Sequence, residues 1–186
     1  MNYDQPDTTA RLFLGLPVPE PVRAKLSEAA RAHFSSYFNE FRPEGNWHLT
    51  LFFFGEVRNH AQYLGRLKQD LPQTFVPTIS ITHLGRGGDR GQLWAYVTPT
   101  PALLSLREEL NERLRKIRFP RPIDSKKFIP HITLANFYPT VSGLGVADTR
   151  LQASYAVNEA YLYQSILNQG KARYDTVATI PLRSSR

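Results

Sequence analysis

Asn46-Trp47-His48-Leu49-Thr50-Leu51-Phe52-Phe53-Phe54-Gly55 returns in shortened form as Pro130-His131-Ile132-Thr133-Leu134. In a β-strand successive side chains leave on opposite faces, so His48 and Thr50 share one face and Leu49 and Leu51 the other. His131 and Thr133 oppose Ile132 and Leu134 in the same way. Each stretch therefore reads as a strand anchored in a core, offering an imidazole and a hydroxyl to an open surface. With 5 His and 13 Thr among 186 residues, 41% of them hydrophobic, two histidines in a His-apolar-Thr-apolar frame are expected roughly once in a thousand shuffled sequences. One copy alone reads most simply as a hydrogen-bonded strand histidine beside a core. The duplication points to a two-histidine site.

Two imidazoles that titrate near neutrality can divide labour, one accepting a proton while the other donates one. That suits in-line attack on phosphorus, with the threonine hydroxyls bonding the non-bridging oxygens where negative charge grows. Metal chemistry would need a third ligand. The chain has no His-Glu-x-x-His pattern and no cysteine, so no metal and no other cofactor is expected. Glu44, Glu56 and Asp124 lie near the motifs in sequence as carboxylates able to orient an imidazole, and nothing in the sequence picks one out.

The pair His48-x-Thr50-x and His131-x-Thr133-x resembles the signature of the two-histidine (2H) phosphoesterase superfamily, in particular its RNA 2′,3′-cyclic phosphodiesterase branch, also called 2′-5′ RNA ligase. The likeness covers nearly the whole chain. Arg11 through Pro17 looks like the family's first strand, His48 through Val57 like its first motif and turn, and Pro130 through Ala135 like its second. Ser154 to Val157, Leu162 to Ser165, Gly170 and Tyr174 look like its closing hairpin. The resemblance implies an α+β, two-lobed fold, with two antiparallel sheets lining a central cleft and helices packed outside. It implies metal-independent hydrolysis of RNA or nucleoside 2′,3′-cyclic phosphates to 2′-phosphates, with reverse 2′-5′ ligation open to the same site. His48 would be the acid on the 3′ oxygen and His131 the base on water. Thr50, Thr133, Phe13, Asn136 and Tyr174 would bind substrate, although core burial competes for Phe13 and Tyr174. Family members often carry Arg five residues after the second histidine; Asn136 stands there in this chain, which bears on nucleotide binding and ligation more than on hydrolysis. Two alternatives stay open: a related phosphodiesterase for another small cyclic phosphate or a 2′-5′ oligonucleotide, and a catalytically idle RNA-binding module.

The length suits one domain over residues 1–186, with residues 1–10 polar and expected to be flexible. No run approaches the roughly 18 apolar residues of a membrane helix, and the polar N-terminus is no signal segment, so a cytoplasmic protein without membrane association is expected; a monomer is expected as well. Its partners would be RNA ends or nucleotides bearing 2′,3′-cyclic phosphate. A net charge of +7 favours phosphate-bearing partners. Arg86 and Arg90 in a glycine-rich loop, and Arg118, Arg121, Lys126 and Lys127 before the second motif, are the clusters able to lead a nucleic acid toward the cleft.

Periodicity supplies the remaining elements. Leu12, Leu14 and Leu16 alternate as a strand, and a helix follows through Val22, Leu26, Ala29 and His33. A second helix carries Ala61, Leu64, Leu67 and Leu71, ended by Pro72. Ile79 and Ile81 pair in a hairpin with Leu93, Ala95 and Val97. Thr100-Pro101 opens the longest helix, with Leu103, Leu106, Leu110, Leu114 and Ile117 on one face. The last third reads as two strands, Tyr155 to Ile166 and Tyr174 to Leu182, joined by a turn at residues 168–171.

Overall fold

The computed structural model describes residues 9–38, 40–70, 77–88, 91–123, 127–141, 147–168 and 171–182. Strand β1 (Thr9–Pro17) buries Leu12, Leu14 and Leu16, and α1 (Glu20–Phe34) buries Leu26, Ala30 and Phe34 on one stripe. The first motif opens β2 (His48–Arg58), which leads through a turn to α2 (Ala61–Asp70). Strands β3 (Thr78–Gly87) and β4 (Gln92–Val97) form the expected hairpin. The longest helix, α3 (Pro101–Lys116), starts as its cap predicts, with the Leu103 amide donating to Thr100 Oγ1 at 3.2 Å. The second motif is β5 (His131–Asn136), followed by β6 (Thr149–Ala156), β7 (Glu159–Asn168) and β8 (Lys171–Pro181).

All eight strands belong to one antiparallel sheet in the order β6-β3-β4-β5-β2-β1-β7-β8. The two expected lobes are its halves. Each half is a four-stranded unit, and they meet at β5 and β2, where a single residue pair, Leu49 and Ile132, is in register. The two motif strands thus lie side by side at the centre, splaying on either side of that one pair. The helices pack outside, α1 against β6, α2 against β8 and α3 against β3.

Two expectations change. The predicted strand Tyr155 to Ile166 is two strands: Tyr155 and Ala156 close β6, paired to β3, whereas β7 pairs to β1 in the other lobe. The chain has to break to cross between lobes, and it does so at residues 157 and 158, where the Asn158 carbonyl accepts from the Leu182 amide at 2.7 Å. The lobes are accordingly not successive halves of the sequence. Nor is residue 10 a loose end, since Ala10 is buried and registers with Val57; residues 1–8 lie outside the described residues. Residues 71–72 at the end of the second helix, and 169–170 in the last turn, also lie outside them.

Candidate active site

Both motif strands carry the same irregularity directly after the threonine. In β2 the register with β1 shifts so that Leu14 faces Phe52 and Gly15 faces Thr50, leaving Leu51 extra. In β5 the register with β4 shifts so that Leu93 faces Ala135 and Trp94 faces Thr133, leaving Leu134 extra. Such bulges re-aim the following side chains. The residue five places after each histidine therefore returns to the open face: Phe53 in one motif, Asn136 in the other. Around the Leu49–Ile132 pair the antiparallel register sets His48 across from Thr133 and Thr50 across from His131. The two imidazoles are then diagonal neighbours on one surface.

The ring orientation is duplicated too. His48 Nδ1 lies 2.6 Å from the Asn46 carbonyl and His131 Nδ1 lies 2.7 Å from the Ile129 carbonyl, in each case two residues back. A carbonyl only accepts, so each Nδ1 carries hydrogen and each neutral ring keeps Nε2 as a proton acceptor for the cleft. Neither Glu44 nor Glu56 orients an imidazole; Glu44 accepts from Ser27 Oγ at 3.0 Å, and Asp124 lies outside the described residues. Among the described residues neither threonine hydroxyl has a hydrogen-bond partner, which leaves both for a ligand.

Aromatic rings fix each histidine on its other sides. Around His48 stand Phe13 at 4.5 Å, Tyr174 at 5.1 Å and Tyr163 at 5.3 Å between centroids, while Trp94 stacks on His131 at 3.5 Å. Burial in this cage, opposed by the bond to Asn46 and reinforced by the Arg42 and His131 charges, brings the pKa of His48 down to about 4. His131 is also lowered, chiefly by burial, against its bond to Ile129.

A cavity of about 820 Å³ opens over this surface, lined by Phe13, His48, Thr50, Asn136 and Tyr174 of the predicted residues. His131 and Thr133 stand beside it rather than in its lining. Phe13 is both things proposed for it, 4% exposed and facing the cavity. Arg86 instead donates to the Val141 carbonyl at 2.8 Å, and Arg118, Arg121 and Lys127 do not line the cavity; Arg90 and Lys126 lie outside the described residues. His83 stacks on Tyr96 and His60 sits in the turn before α2, so neither joins the site.

The residue that sequence reading missed is Arg42. It comes from the loop before β2, donates through one terminal nitrogen to Tyr174 Oη at 3.1 Å and through the other to Asn136 Oδ1 at 3.1 Å. Gln92 Nε2 donates to the same Asn136 oxygen at 3.2 Å, and its own Oε1 accepts from Trp94 Nε1 at 3.0 Å. A polar chain thus runs from the indole stacked on His131 to the phenol beside His48. Arg42 stands outside the repeat and six residues ahead of His48, and no period marks it.

The chain matches the model of the 2′-5′ RNA ligase superfamily over residues 18–164. It is 31% identical over 137 residues to the RNA 2′,3′-cyclic phosphodiesterase of Thermotoga maritima, covering 69% of this chain and 72% of that protein. To the Escherichia coli protein of the same name it is 27% identical over 170 residues, 88% of this chain and 92% of that one. The apo crystal structure of E. coli LigT superposes with a TM-score of 0.73 at 25% identity, covering 94% of this chain and 98% of that one. A Thermus thermophilus structure gives 0.73 at 24% identity over 95% of this chain and 100% of its own, a likeness of fold. A duplicated His-x-Thr strand on an open eight-stranded antiparallel sheet, matched along most of its length, makes this chain a member of the 2′-5′ RNA ligase superfamily.

Proposed function

We propose that this protein hydrolyses 2′,3′-cyclic phosphates at RNA ends or on nucleosides to 2′-phosphates, without a metal, using His48 and His131 as acid and base. The observation that carries the proposal is the duplicated arrangement itself. Two imidazoles, each tied through Nδ1 to a carbonyl and open at Nε2, flank one seam with two threonine hydroxyls that have no hydrogen-bond partner among the described residues. In the forward reaction His131 Nε2 takes a proton from water as its oxygen bonds phosphorus, the P–O3′ bond breaks, and protonated His48 gives its Nε2 proton to O3′. Thr50 and Thr133 meet the non-bridging oxygens as charge builds there. His48 is hard to protonate in the empty cleft; a seated phosphate anion favours its charged form. Reversal with a 5′-hydroxyl in place of water would give a 2′-5′ linkage.

The names of the relatives support this reading, and the crystal structure of E. coli LigT with 3′-AMP shows that fold accepting a nucleotide. No helix among the described residues is long and apolar enough to cross a membrane, and the proposal carries a cytoplasmic monomer acting as one two-lobed unit. The test is turnover of a 2′,3′-cyclic mononucleotide after exhaustive chelation, with the product identified by ³¹P NMR. A 2′-phosphate formed at an undiminished rate is expected. Loss of activity restored by one divalent ion would defeat the metal-free scheme, and a 3′-phosphate product would reverse the geometry of attack.

A further inference from the structure

The guanidinium of Arg42 presents five N–H donors. Two meet neutral acceptors, the Tyr174 hydroxyl and the Asn136 amide oxygen, and Nε is buried without any partner. The side-chain hydrogen bonds that Arg42 makes among the described residues go to neutral groups, and none goes to a carboxylate. Withdrawing a permanent cation from water without a counter-charge is costly. Here it is nevertheless fixed from several sides: the Arg42 amide donates to the Leu134 carbonyl at 2.8 Å and its carbonyl accepts from Trp47 Nε1 at 3.1 Å. A half-buried, immobilised cation that lines a cavity and has no hydrogen bond to a carboxylate among the described residues is complementary to an anionic ligand.

Its position says which anion. Asn136, which holds one end of the guanidinium, is three residues beyond Thr133 on β5, roughly 10 Å at about 3.3 Å per residue. The bulge at Leu134 keeps both on the open face. Arg42 therefore stands past Thr133 along β5, at the His48 end of the same cleft, where its charge reaches His48. The cavity, at about 820 Å³, is also far larger than a cyclic phosphate and falls within the range that encloses nucleotide-sized ligands. Resting on the hydrolase reading above, we infer that Arg42 binds the phosphodiester preceding the terminal nucleotide, so that the enzyme selects polynucleotide ends over free cyclic nucleotides. Asn136 and Tyr174 are then positioning residues for that cation.

The experiment compares a dinucleotide ending in 2′,3′-cyclic phosphate with the matching cyclic mononucleotide. The native protein should favour the dinucleotide in kcat/KM by tenfold or more. Arg42→Gln should lower that preference at least tenfold, mainly through KM, with Arg42→Lys intermediate because a point charge attracts without the planar fork. The slope of log kcat/KM against log salt for the dinucleotide should fall by about one. Equal losses on both substrates, or no change in preference, would overturn the inference. Should Arg42→Gln fail a thermal-melt check of folding, Tyr174→Phe and Asn136→Ala carry the same comparison, each removing one acceptor and leaving the charge; each should erode the preference. Calorimetry with a 3′-phosphorylated dinucleotide against 3′-AMP reads the contact without turnover. Tighter dinucleotide binding that depends on Arg42, in a protein that hydrolyses neither ester, would sustain the inference while sinking the hydrolase reading. Equal affinity for the two ligands in the native protein would sink the inference itself.

Discussion

His48 and His131 serve one displacement, so each of His48→Ala and His131→Ala should lower kcat by about two to four orders of magnitude, the range for general acid-base catalysis. The double variant should be little worse than either single one. A leaving group of low pKa departs without a proton and should rescue the acid variant more than the base variant; rescue of His131→Ala instead would exchange the roles. Thr50→Ala and Thr133→Ala should cost less, since water can partly replace a hydroxyl at the phosphate. His48 also makes the fold pH-sensitive. Its pKa falls from 6.5 to about 4 on folding, so between those values the unfolded chain binds the proton first. The stability held above pH 6.5 is then lost as pH falls toward 4. At roughly 1.4 kcal/mol per pKa unit the loss is on the order of 3 kcal/mol. His48→Gln keeps a hydrogen-bonding side chain and cannot titrate. Between pH 7 and about 4.5 the urea midpoint of the native protein should therefore fall further than that of the variant, and parallel losses in the two would refute the linkage.

The strands around each histidine do more than carry the motif. Gly15, on β1, faces Thr50; a Cβ there would sit 3.0 Å from the Leu49 carbonyl oxygen and 3.3 Å from His48 Cδ2. Gly87, on β3, lies under Trp94, and a Cβ would land 2.0 Å from the indole that stacks on His131. Each lobe thus keeps a glycine where its histidine, or the ring behind it, needs room. Gly87→Ala should push Trp94 off His131 and cut kcat/KM by about tenfold, the order expected when a catalytic group is slightly misplaced, with Tm lowered by only a few degrees. Activity at the native level with a folded Gly87→Ala variant would show that the stacking does not position His131. These supports were not legible in the sequence, because a glycine beneath an aromatic ring on a neighbouring strand leaves no periodic trace. The motif strands were, since Leu49, Leu51, Ile132 and Leu134 alternate against their polar neighbours. The bulges after Thr50 and Thr133 were not, because the run Leu51-Phe52-Phe53-Phe54 is apolar on both faces and gives no sign of the parity change.

Long-range topology was beyond periodicity for a different reason. The break at residues 157 and 158 separates strands bound for opposite lobes, and Tyr155-Ala156-Val157 reads as continuous β sequence until one knows that β6 pairs with β3 and β7 with β1. Arg42 belongs to the same class of omission. It acts across the seam, bonded to Asn136 of one lobe and Tyr174 of the other, and only the folded chain brings those three together. The two-lobed construction also governs how activity depends on pH. Each lobe contributes one histidine and lowers its pKa, chiefly by burial, His48 to about 4 and His131 below its ordinary 6.5. The profile of kcat/KM reports the free enzyme, and it needs one ring protonated and the other neutral. Both limbs of its bell therefore fall below 6.5, giving an acidic optimum between about 4 and 6.5. In the complex the phosphate anion favours the charged form of both rings, so the optimum of kcat should lie at higher pH than that of kcat/KM. Initial rates across the acid and neutral range, at low and saturating substrate, measure both. A kcat/KM that climbs steadily into the alkaline range would mean that hydroxide, not a buried imidazole from either lobe, delivers the attacking oxygen.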